Sequence, residues 1–331
     1  MTLWKVLFKP LSPFTSKIEV YTLFGALCWG YKLLFGEERL LEFLEKFKND
    51  PPFLLSSPLP HFNDHILFPM PQIEEGFLDD SELPYPEKKE YKKIKYIPQN
   101  LFLEYLEGKI RTQGEIFLKL KELKKNENEC SLKNLLEKPF IFNSNILQAS
   151  INRLTWTTTG GNLINTPAYW YSSFIVYVLQ RDSQFDIEIL KKLFELVSLG
   201  GNKSIGWGHV KIVKIEEDKA LNGYLEPRSE FFYILSPTFI DPSFEIEESY
   251  YQLFIYTGLI ENFYERLTHS LLKRRFIYLS SGSQIKTGQI KACYGGLIPA
   301  LEGTSFAGNG RRYTIYQYGY AFPLYLKGDK A

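Results

Sequence analysis

A cluster of glycines constrains the fold of this 331-residue chain more than any other feature of its sequence. The segment LGGNKSIGWGHVKI, residues 199–212, places glycine at four of nine successive positions: Gly200, Gly201, Gly206 and Gly208. Each glycine costs about 0.5–1 kcal/mol relative to alanine in regular structure, because more chain entropy is lost on folding. This concentration indicates either a loop whose backbone another group approaches closely, or a helix end followed by a bulged strand.

The order of elements around this loop excludes the common nucleotide-binding loops. A helix is predicted over 183–201 from apolar residues four positions apart, namely Phe185, Ile189, Leu193 and Val197. A half-buried strand is predicted at 207–215, so the order is helix, glycines, strand. Phosphate loops and dinucleotide-binding turns run in the opposite order, and Asn202 stands where a phosphate loop has glycine before its lysine. We therefore reject nucleotide hydrolysis and dinucleotide binding.

Composition and charge set wider limits. Hydrophobic residues make up 44% and charged residues 23% of the chain, as in ordinary globular proteins, and the length suggests about two domains. The net charge is only +1, but residues 265–291 carry six basic residues against one acidic residue. Such a patch either binds phosphate or forms a solvated face.

The cysteines and the apolar runs limit the cellular setting. The three cysteines are far apart in sequence, which argues against a disulfide framework or a paired-cysteine metal site. The longest apolar stretch, 20–31, is too short to span a bilayer. We expect a reduced, cytoplasmic protein with no membrane partner, no metal and no cofactor.

The remaining periodicities predict an α+β chain of two domains. The predicted elements are a strand at 2–8, a helical region at 21–47, irregular or edge strands at 51–71, a polar surface insertion at 74–98, a mobile polar segment at 119–134, a hairpin at 151–171 that turns at Gly160-Gly161-Asn162, and a strand at 172–180. The polar loop 216–230 is the best domain boundary. It separates an N-terminal domain, 1–220, with insertions at about 74–170, from a second, strand-rich domain, 221–331.

Several residues suit contact with RNA. The loop amides, Lys203 and Ser204 can donate hydrogen bonds to phosphate, and Trp207 can stack on a base. The second domain adds the turn SSGSQIK, 280–286, from which Ser281, Gly282, Ser283 and Lys286 are candidate contacts, beside Arg274 and Arg275. A further basic pair, Arg311 and Arg312, follows the segment GTSFAGNG.

Two other function classes stay open. An endoribonuclease needs a general acid or base, and His209, next to the glycine loop, is the one histidine placed for that role. A zinc site at His61 and His65 has ligand spacing, but nearby prolines and the absence of a third ligand in the sequence argue against it. A protein-binding scaffold would use the apolar helical region, with Cys28, Trp29 and Tyr31 at an interface or in the core.

The glycine loop and four further stretches of the chain resemble those of a known family. The glycine loop between a helix and a strand is similar to that of the RAMP proteins, the RNA-binding subunits of CRISPR systems. Four further stretches, in the same order along the chain, resemble the fourth-subunit family of the Csm complex, the type III-A effector: TLFGALCWG (22–30), PPFLLSSPLP (51–60), INRLTW (151–156) and YGYAFPL (318–324). One position departs from the pattern of that family, because Tyr21 stands where Asp is common.

The resemblance implies a fold and a role. The expected fold is α+β, with two ferredoxin-like (RRM-like) domains, a glycine-rich loop and a hairpin insertion that acts as a thumb. The expected role is a non-catalytic subunit that grips the 5′ handle of the crRNA and docks the large polymerase-like subunit onto the backbone RAMP subunit. The alternative within the same superfamily is an endoribonuclease that processes the CRISPR precursor RNA.

The resemblance also implies which residues bind RNA. The glycine loop becomes a clamp for the handle, and the hairpin at 151–171 becomes the thumb. The predicted RNA-binding residues are Gly200, Gly201, Asn202, Lys203, Ser204, Gly206, Trp207, Gly208 and His209 in and beside the loop, Arg153 and Trp156 in the hairpin, and Arg274, Ser281, Gly282, Ser283 and Lys286 in the second domain.

Overall fold

The computed structural model describes residues 1–62, 65–76, 85–125, 140–260, 272–304 and 312–327. The fold is α+β, with α-helices and mostly antiparallel sheets. The helices are α1 (Val20–Phe35), α2 (Glu37–Asn49), α3 (Tyr85–Tyr91), α4 (Gln99–Leu106), α5 (Gln113–Lys125) and α6 (Ile189–Leu196). The strands are β1 (Thr2–Pro10), β2 (Phe53–Leu55), β3 (Leu59–Phe62), β4 (His65–Pro69), β5 (Tyr96–Pro98), β6 (Ile141–Ile151), β7 (Thr158–Tyr171), β8 (Phe174–Gln180), β9 (Val210–Glu217), β10 (Phe231–Ile234), β11 (Leu253–Tyr256), β12 (Phe276–Leu279), β13 (Gln284–Lys286), β14 (Leu297–Thr304), β15 (Arg312–Tyr318) and β16 (Pro323–Tyr325).

A central antiparallel sheet organises the N-terminal part of the chain. Its strand order is β5-β4-β3-β8-β1-β9, and β2 also pairs with β8. Strand β1 lies between β8 and β9 and pairs with both, for example through Val6 with Val176 on one side and with Ile215 on the other. The strands predicted near 2–8, 172–180 and 207–215 are confirmed as β1, β8 and β9, and they are adjacent at one end of this sheet.

Helices α1 and α6 pack on one face of the sheet. The ring of Phe8 stacks on Phe174 with centroids 5.1 Å apart and meets the edge of Phe194 at 5.2 Å. Leu23 and Leu190 on the two helices are 1% and 2% exposed. Burial of four or five such side chains at about 1.5–3 kcal/mol each makes this face the principal hydrophobic layer of the N-terminal part.

Two predicted helices differ in extent from the observed ones. The region 21–47 is helical but breaks at Gly36, which has φ of 89° and separates α1 from α2. The helix predicted over 183–201 covers only α6, because Val197 is already extended, with φ −133° and ψ 154°. Phe185 has the helical spacing but lies before the helix, where its ring packs 4.5 Å from that of Phe53. Packing against a neighbouring element explains this side chain without a helix.

The C-terminal part consists of short antiparallel strands. Strands β13, β10 and β16 form one sheet, and β11 with β12 and β14 with β15 form two-stranded pairs. These strands agree with the strand-rich character predicted for 221–331. Within the described residues that follow β9, no α-helix is present.

The two parts of the chain share one hydrophobic core. The amide of Leu55 donates to the Tyr318 hydroxyl at 3.0 Å, and the Tyr320 hydroxyl donates to the Phe47 carbonyl at 2.8 Å. The Ser57 amide donates to the Leu235 carbonyl at 3.0 Å. Aromatic side chains with satisfied hydroxyls therefore join the N-terminal sheet to the C-terminal strands. The domain boundary near 220 stays a prediction.

Parts of the predicted insertions are described. Helices α3, α4 and α5 lie between β4 and β6, within the predicted insertion range of about 74–170. Residues 77–84 of the polar segment 74–98 and residues 126–134 of the segment 119–134 lie outside the described residues. Cys130 and the arginine at 311 lie outside them as well.

We predict that two glycine-to-alanine changes in α1 act in opposite directions. A Cβ on Gly30 would lie 2.7 Å from the Leu193 carbonyl oxygen of α6, whereas one on Gly25 meets nothing within 4 Å. Gly30→Ala should lower the free energy of unfolding by about 1–3 kcal/mol, because α1 must move away from α6. Gly25→Ala should raise it by about 0.5–1 kcal/mol through helix propensity. Urea unfolding of both variants tests this contact, and an equal gain in both would contradict it.

Candidate nucleic-acid interface

The glycine loop is a closed turn between α6 and β9. The Leu199 amide donates to the Gly208 carbonyl at 2.8 Å and closes its neck. Between them, Asn202 adopts a left-handed conformation with φ of 57°, and Lys203–Ile205 form one turn of 3₁₀-helix. The loop tip from Gly200 to Gly206 is largely exposed. The tip is therefore a compact protrusion at one end of the central sheet.

Most amides of the loop already have partners within the protein. The amides of Ile205 and Trp207 donate to the Asn202 carbonyl at 3.1 and 3.3 Å, and that of Gly206 donates to the Lys203 carbonyl at 3.0 Å. Within the part of the chain that the structure describes, the amides of Gly200, Asn202 and Ser204 have no such partner. The set of loop amides expected to donate to phosphate is thus reduced to these three, with the Lys203 and Ser204 side chains beside them.

The segment 11–19, which follows β1, fixes the loop in place. Its Pro13 carbonyl accepts from the Gly208 amide at 2.9 Å, and its Ser12 hydroxyl accepts from the His209 amide at 2.8 Å. The Thr15 hydroxyl accepts from the Gly201 amide at 3.1 Å. The sequence analysis missed these residues. The one signal was the serine and threonine content of the segment 11–19, because such hydroxyls commonly accept hydrogen bonds from nearby backbone amides.

The same segment also holds the root of the hairpin formed by β6 and β7. Phe14 and Tyr169 exchange two backbone hydrogen bonds of 2.9 Å each. The Ile18 amide donates to the Tyr171 hydroxyl at 2.7 Å. Through the segment 11–19 the structure brings the glycine loop and the root of the hairpin together. The tip of the hairpin lies roughly 35 Å away along the 11 residues of β6.

The hairpin turns at a different place from the predicted one. The turn is at Asn152–Thr157, where the Asn152 carbonyl accepts from the Trp156 amide at 2.8 Å and its side-chain oxygen accepts from the Leu154 amide at 2.9 Å. The expected turn at Gly160-Gly161-Asn162 is wrong, because these residues lie within β7. They occur where the strand register shifts between Ala149 and Ile151, as glycines do at bulges. The turn forms at Asn152 instead, because an asparagine side chain readily accepts a hydrogen bond from the backbone two residues further on.

The hairpin tip is exposed and carries both charge and apolar surface. Trp156 is 83% exposed and Leu154 is 92% exposed, with Arg153 between Asn152 and Leu154 also exposed. Trp156 has φ of 54°, in the left-handed region that few residues other than glycine adopt. The predicted contacts Arg153 and Trp156 therefore lie at a free tip that a base or another protein can reach.

Trp207 occupies a different position from the one that its predicted role needs. The side chain is 6% exposed, so its ring faces are covered by protein. A base cannot stack on the ring in this arrangement. This argues against Trp207 as a stacking surface, and indicates that the residue anchors the loop to the core.

The turn 280–286 connects the two parts of the chain. The Gly282 amide donates to the Ile234 carbonyl at 2.9 Å, its carbonyl accepts from the Gln72 amide at 2.7 Å, and Ser283 is fully buried. Ser281 is half-buried. Burial of the turn thus argues against Gly282 and Ser283 as RNA contacts, since no phosphate can reach them.

The charges near this turn are also accounted for. Lys286 forms ion pairs with Glu245 at 2.9 Å and Glu248 at 2.8 Å, and hydrogen bonds to these carboxylates raise its pKa. Its charge is therefore not offered to a phosphate. The Arg274 guanidinium lies 5.0 Å from the centre of the Phe276 ring, and the residue is exposed. Arg274 stays a candidate contact.

The histidines have no catalytic partners among the described residues. His209 is exposed, and the partner of its ring there is the Ser198 hydroxyl, 3.3 Å from Nδ1. His61 pairs with Ile66 and His65 with Phe62 across the β3–β4 hairpin, so the two side chains point to opposite faces. Among the described residues, no group of three or more His, Cys, Asp or Glu side chains is placed to hold a metal ion.

The apolar residues proposed for a scaffold surface lie partly in the core. Cys28 and Tyr31 on α1 are half-buried and pack against the main hydrophobic cluster. Burial raises the pKa of the Cys28 thiol to about 12, and burial lowers the pKa of the neighbouring Lys273 to about 8. These residues contribute to packing between α1 and the C-terminal part. No helix in the described part of the chain is long and apolar enough to cross a membrane.

We predict that Gly208 is essential for the loop and that Gly206 is not. A Cβ on Gly208 would lie 2.0 Å from the Leu199 carbonyl oxygen, with φ of +81°, whereas Gly206, with φ of +87°, has nothing within 4 Å. Gly208→Ala should cost about 3 kcal/mol or more, from backbone strain and overlap together. Gly206→Ala should cost about 1–2 kcal/mol from strain alone. Thermal unfolding of the pair decides the matter, and equal costs would show that the neck is not tightly closed.

We predict a pH-dependent gain in stability for Glu19→Gln. Burial raises the pKa of the Glu19 carboxyl, which accepts a hydrogen bond of 2.8 Å from the Ser57 hydroxyl. A raised pKa favours the protonated carboxyl in the folded state, so its contribution is present at low pH and is lost as pH rises through the folded pKa. The glutamine is always neutral and keeps the acceptor. Urea unfolding should show a more stable variant at neutral pH and a vanishing difference at about pH 4. A constant difference would contradict this.

Comparison with known proteins supports the assignment of the fold. No protein-family model matches the chain, and neither does any curated protein. A chain in the crystal structure of the Csm3-Csm4 subcomplex of the type III-A CRISPR-Cas interference complex is similar, with a TM-score of 0.60 and 21% identity over 98% of this chain and 99% of that one. Chains in crystal structures of the Csm1-Csm4 cassette with AMPPNP and with pppApA have TM-scores of 0.53 and 0.54, at 16% identity over 100% of both chains. Csm4 is common to these three structures, and this chain shares its fold with a chain in each of them.

Proposed function

We propose that this protein is an RNA-binding subunit of a type III-A CRISPR effector complex that grips the 5′ handle of the crRNA. The observation that supports the proposal is the connection that the segment 11–19 makes between the glycine loop and the root of the hairpin. This segment holds the exposed tip of the glycine loop and the root of the long hairpin against the same end of the central sheet. A strand of RNA bound there can contact a clamp at the loop and a thumb at the hairpin.

The topology of the N-terminal part supports a ferredoxin-like domain. In chain order, the elements concerned are β1, α1, β2, β8, α6 and β9. The sheet order β2-β8-β1-β9 is that of a split βαβ fold. For 221–331 the proposal of a second ferredoxin-like domain rests on the sequence resemblance. There the described residues form short strands.

The chemistry proposed for the grip follows from the groups at the two tips. Sequence-independent RNA binding uses backbone amides and basic side chains on phosphates, and aromatic rings on unstacked bases. The loop tip supplies the amides of Gly200, Asn202 and Ser204 together with the Lys203 side chain. The hairpin tip supplies Arg153 and Trp156. We propose a non-catalytic role, which agrees with the contact of the His209 ring with the Ser198 hydroxyl among the described residues.

The proposed protein partners come from the fold neighbours. Those structures contain Csm4 with Csm3 in one case and with Csm1 in the others. By analogy, we propose that this chain contacts a backbone RAMP subunit and the large polymerase-like subunit of its own complex. Purification of the native protein should recover small RNAs with a common 5′ end, together with such subunits. A protein free of RNA, or one that cuts precursor RNA, would contradict the proposal.

We predict that Lys203→Ala weakens RNA binding modestly. Loss of one phosphate contact should lower the slope of log K against log salt by about one unit. Lys286→Ala is the matched control, because its ammonium is already paired with Glu245 and Glu248. Fluorescence anisotropy with a labelled guide RNA at several salt concentrations measures both slopes. Equal losses in the two variants would remove the glycine loop from the proposed interface.

A further inference from the structure

Two lysines face each other across β1 and β9. The strand register places Lys9 directly opposite Lys211, and both residues are exposed. Directly opposite residues of an antiparallel pair lie on the same face, and like charges in such positions destabilise the sheet. The pair therefore has a cost for folding that packing does not explain.

Neighbouring lysines on the same strands have a carboxylate partner, which they share. Lys5 forms an ion pair of 2.6 Å with Glu216, and Lys214 forms a second ion pair with the same carboxylate. Lys5 lies on the same face of β1 as Lys9, and the register shift at Val213 places Lys214, opposite Leu7, on that face of β9 as well. Within the described part of the chain, neither Lys9 nor Lys211 has a carboxylate partner. The sheet is thus left with two adjacent positive charges at one end.

Polar groups continue this pair across the sheet. Phe8 pairs with Phe174, so Ser173 is the residue that follows in register beside Lys9. The Ser173 carbonyl accepts from the His61 amide at 3.1 Å, and its hydroxyl donates to the His61 carbonyl at 2.9 Å. His61 Nδ1 lies 3.3 Å from the same hydroxyl. The four residues Lys211, Lys9, Ser173 and His61 form a row, named here the polar row, about 15 Å wide at the usual spacing of strands.

The polar row connects the two elements of the proposed RNA grip. At one side, the Leu11 amide that follows β1 donates to the His209 carbonyl at 2.9 Å, directly beside the glycine loop. At the other side, Ser173 precedes β8 and follows the hairpin strand β7, and the Ser172 amide donates to the Phe140 carbonyl at the hairpin root. The row therefore runs from the clamp to the thumb over the exposed end of the sheet.

We propose that the polar row binds the sugar-phosphate backbone of single-stranded RNA as it passes from the glycine loop to the root of the hairpin. The inference rests on the proposed function and extends it to a surface outside both elements. Lys9 and Lys211 neutralise phosphates, and the phosphates supply the counter-charge that the lysine pair lacks. Beyond the lysines, the polar row continues with Ser173 and His61, which hold each other in place at the far side of the sheet.

The test compares Lys9→Met and Lys211→Met with the control Lys214→Met in the full-length chain. The probe is a fluorescently labelled single-stranded RNA of uniform uridine sequence, titrated at several salt concentrations. Each loss of a phosphate contact should weaken binding about fivefold at roughly 0.1 M salt and lower the slope by about 0.7. Lys214→Met removes the same unit of charge but should change both by less, because the Lys214 ammonium is already paired with Glu216. The first two variants should unfold at the same or a higher temperature, since a repulsion is removed.

The outcomes separate the inference from the proposed function. Unchanged RNA affinity in both row variants, with a normal decrease in Lys203→Ala, would overturn the polar row and leave the clamp in place. Equal effects of Lys211→Met and Lys214→Met would reduce the row to a general charge effect and overturn it as well. Loss of assembly with partner subunits at unchanged RNA affinity would assign the lysines to an acidic protein surface. Failure of the unmodified chain to bind this RNA at any salt concentration would overturn the polar row, and titration with a labelled crRNA in the same assay tests the proposed function separately.

Discussion

The pairing of β1 on both sides is the constraint on which the rest of the structure depends. Seven residues of β1 pair with β8 and seven with β9, so one strand fixes the register of the central sheet. A slip by one residue would turn Val6 and Phe8 away from α1 and α6 and expose them. The same register fixes where β1 ends. The segment 11–19 that follows it then meets the glycine loop and the hairpin root.

The hairpin of β6 and β7 exposes apolar side chains that are available for contact with other molecules. A two-stranded hairpin has no second layer, and by itself it is marginally stable in water. Its side chains Leu147, Leu163 and Ile164 are 66%, 66% and 53% exposed, and its root is held by Phe14. Exposed apolar surface of this extent commonly marks an interaction site. This agrees with a thumb that becomes covered on assembly with RNA and protein partners.

Local signals predicted much of the fold and only part of the site. Alternation of apolar and polar residues and short apolar runs identified β1, β8 and β9. Helical spacing identified α1, α2 and α6, because these patterns reflect burial on one face. The turn of the hairpin was misplaced, since both Asn152 and the Gly160-Gly161 pair suit a turn and the strand register decides between them. Trp207 and the turn 280–286 suggested RNA contacts from residue type. Burial, a property of the whole fold, argues otherwise for Trp207, Gly282 and Ser283.

The sequence by itself determined the class of structure, the presence of a glycine loop between a helix and a strand, and the resemblance to RAMP proteins. These depend on neighbours within a few residues, or on motifs that a reader can recognise in order. Only the tertiary structure decided which donors of the loop reach solvent and that Ser12, Pro13 and Thr15 hold it. It also decided that Lys286 is neutralised while Lys9 and Lys211 face each other. Such pairs are far apart in sequence, and the strand register that joins them follows from packing of the entire core.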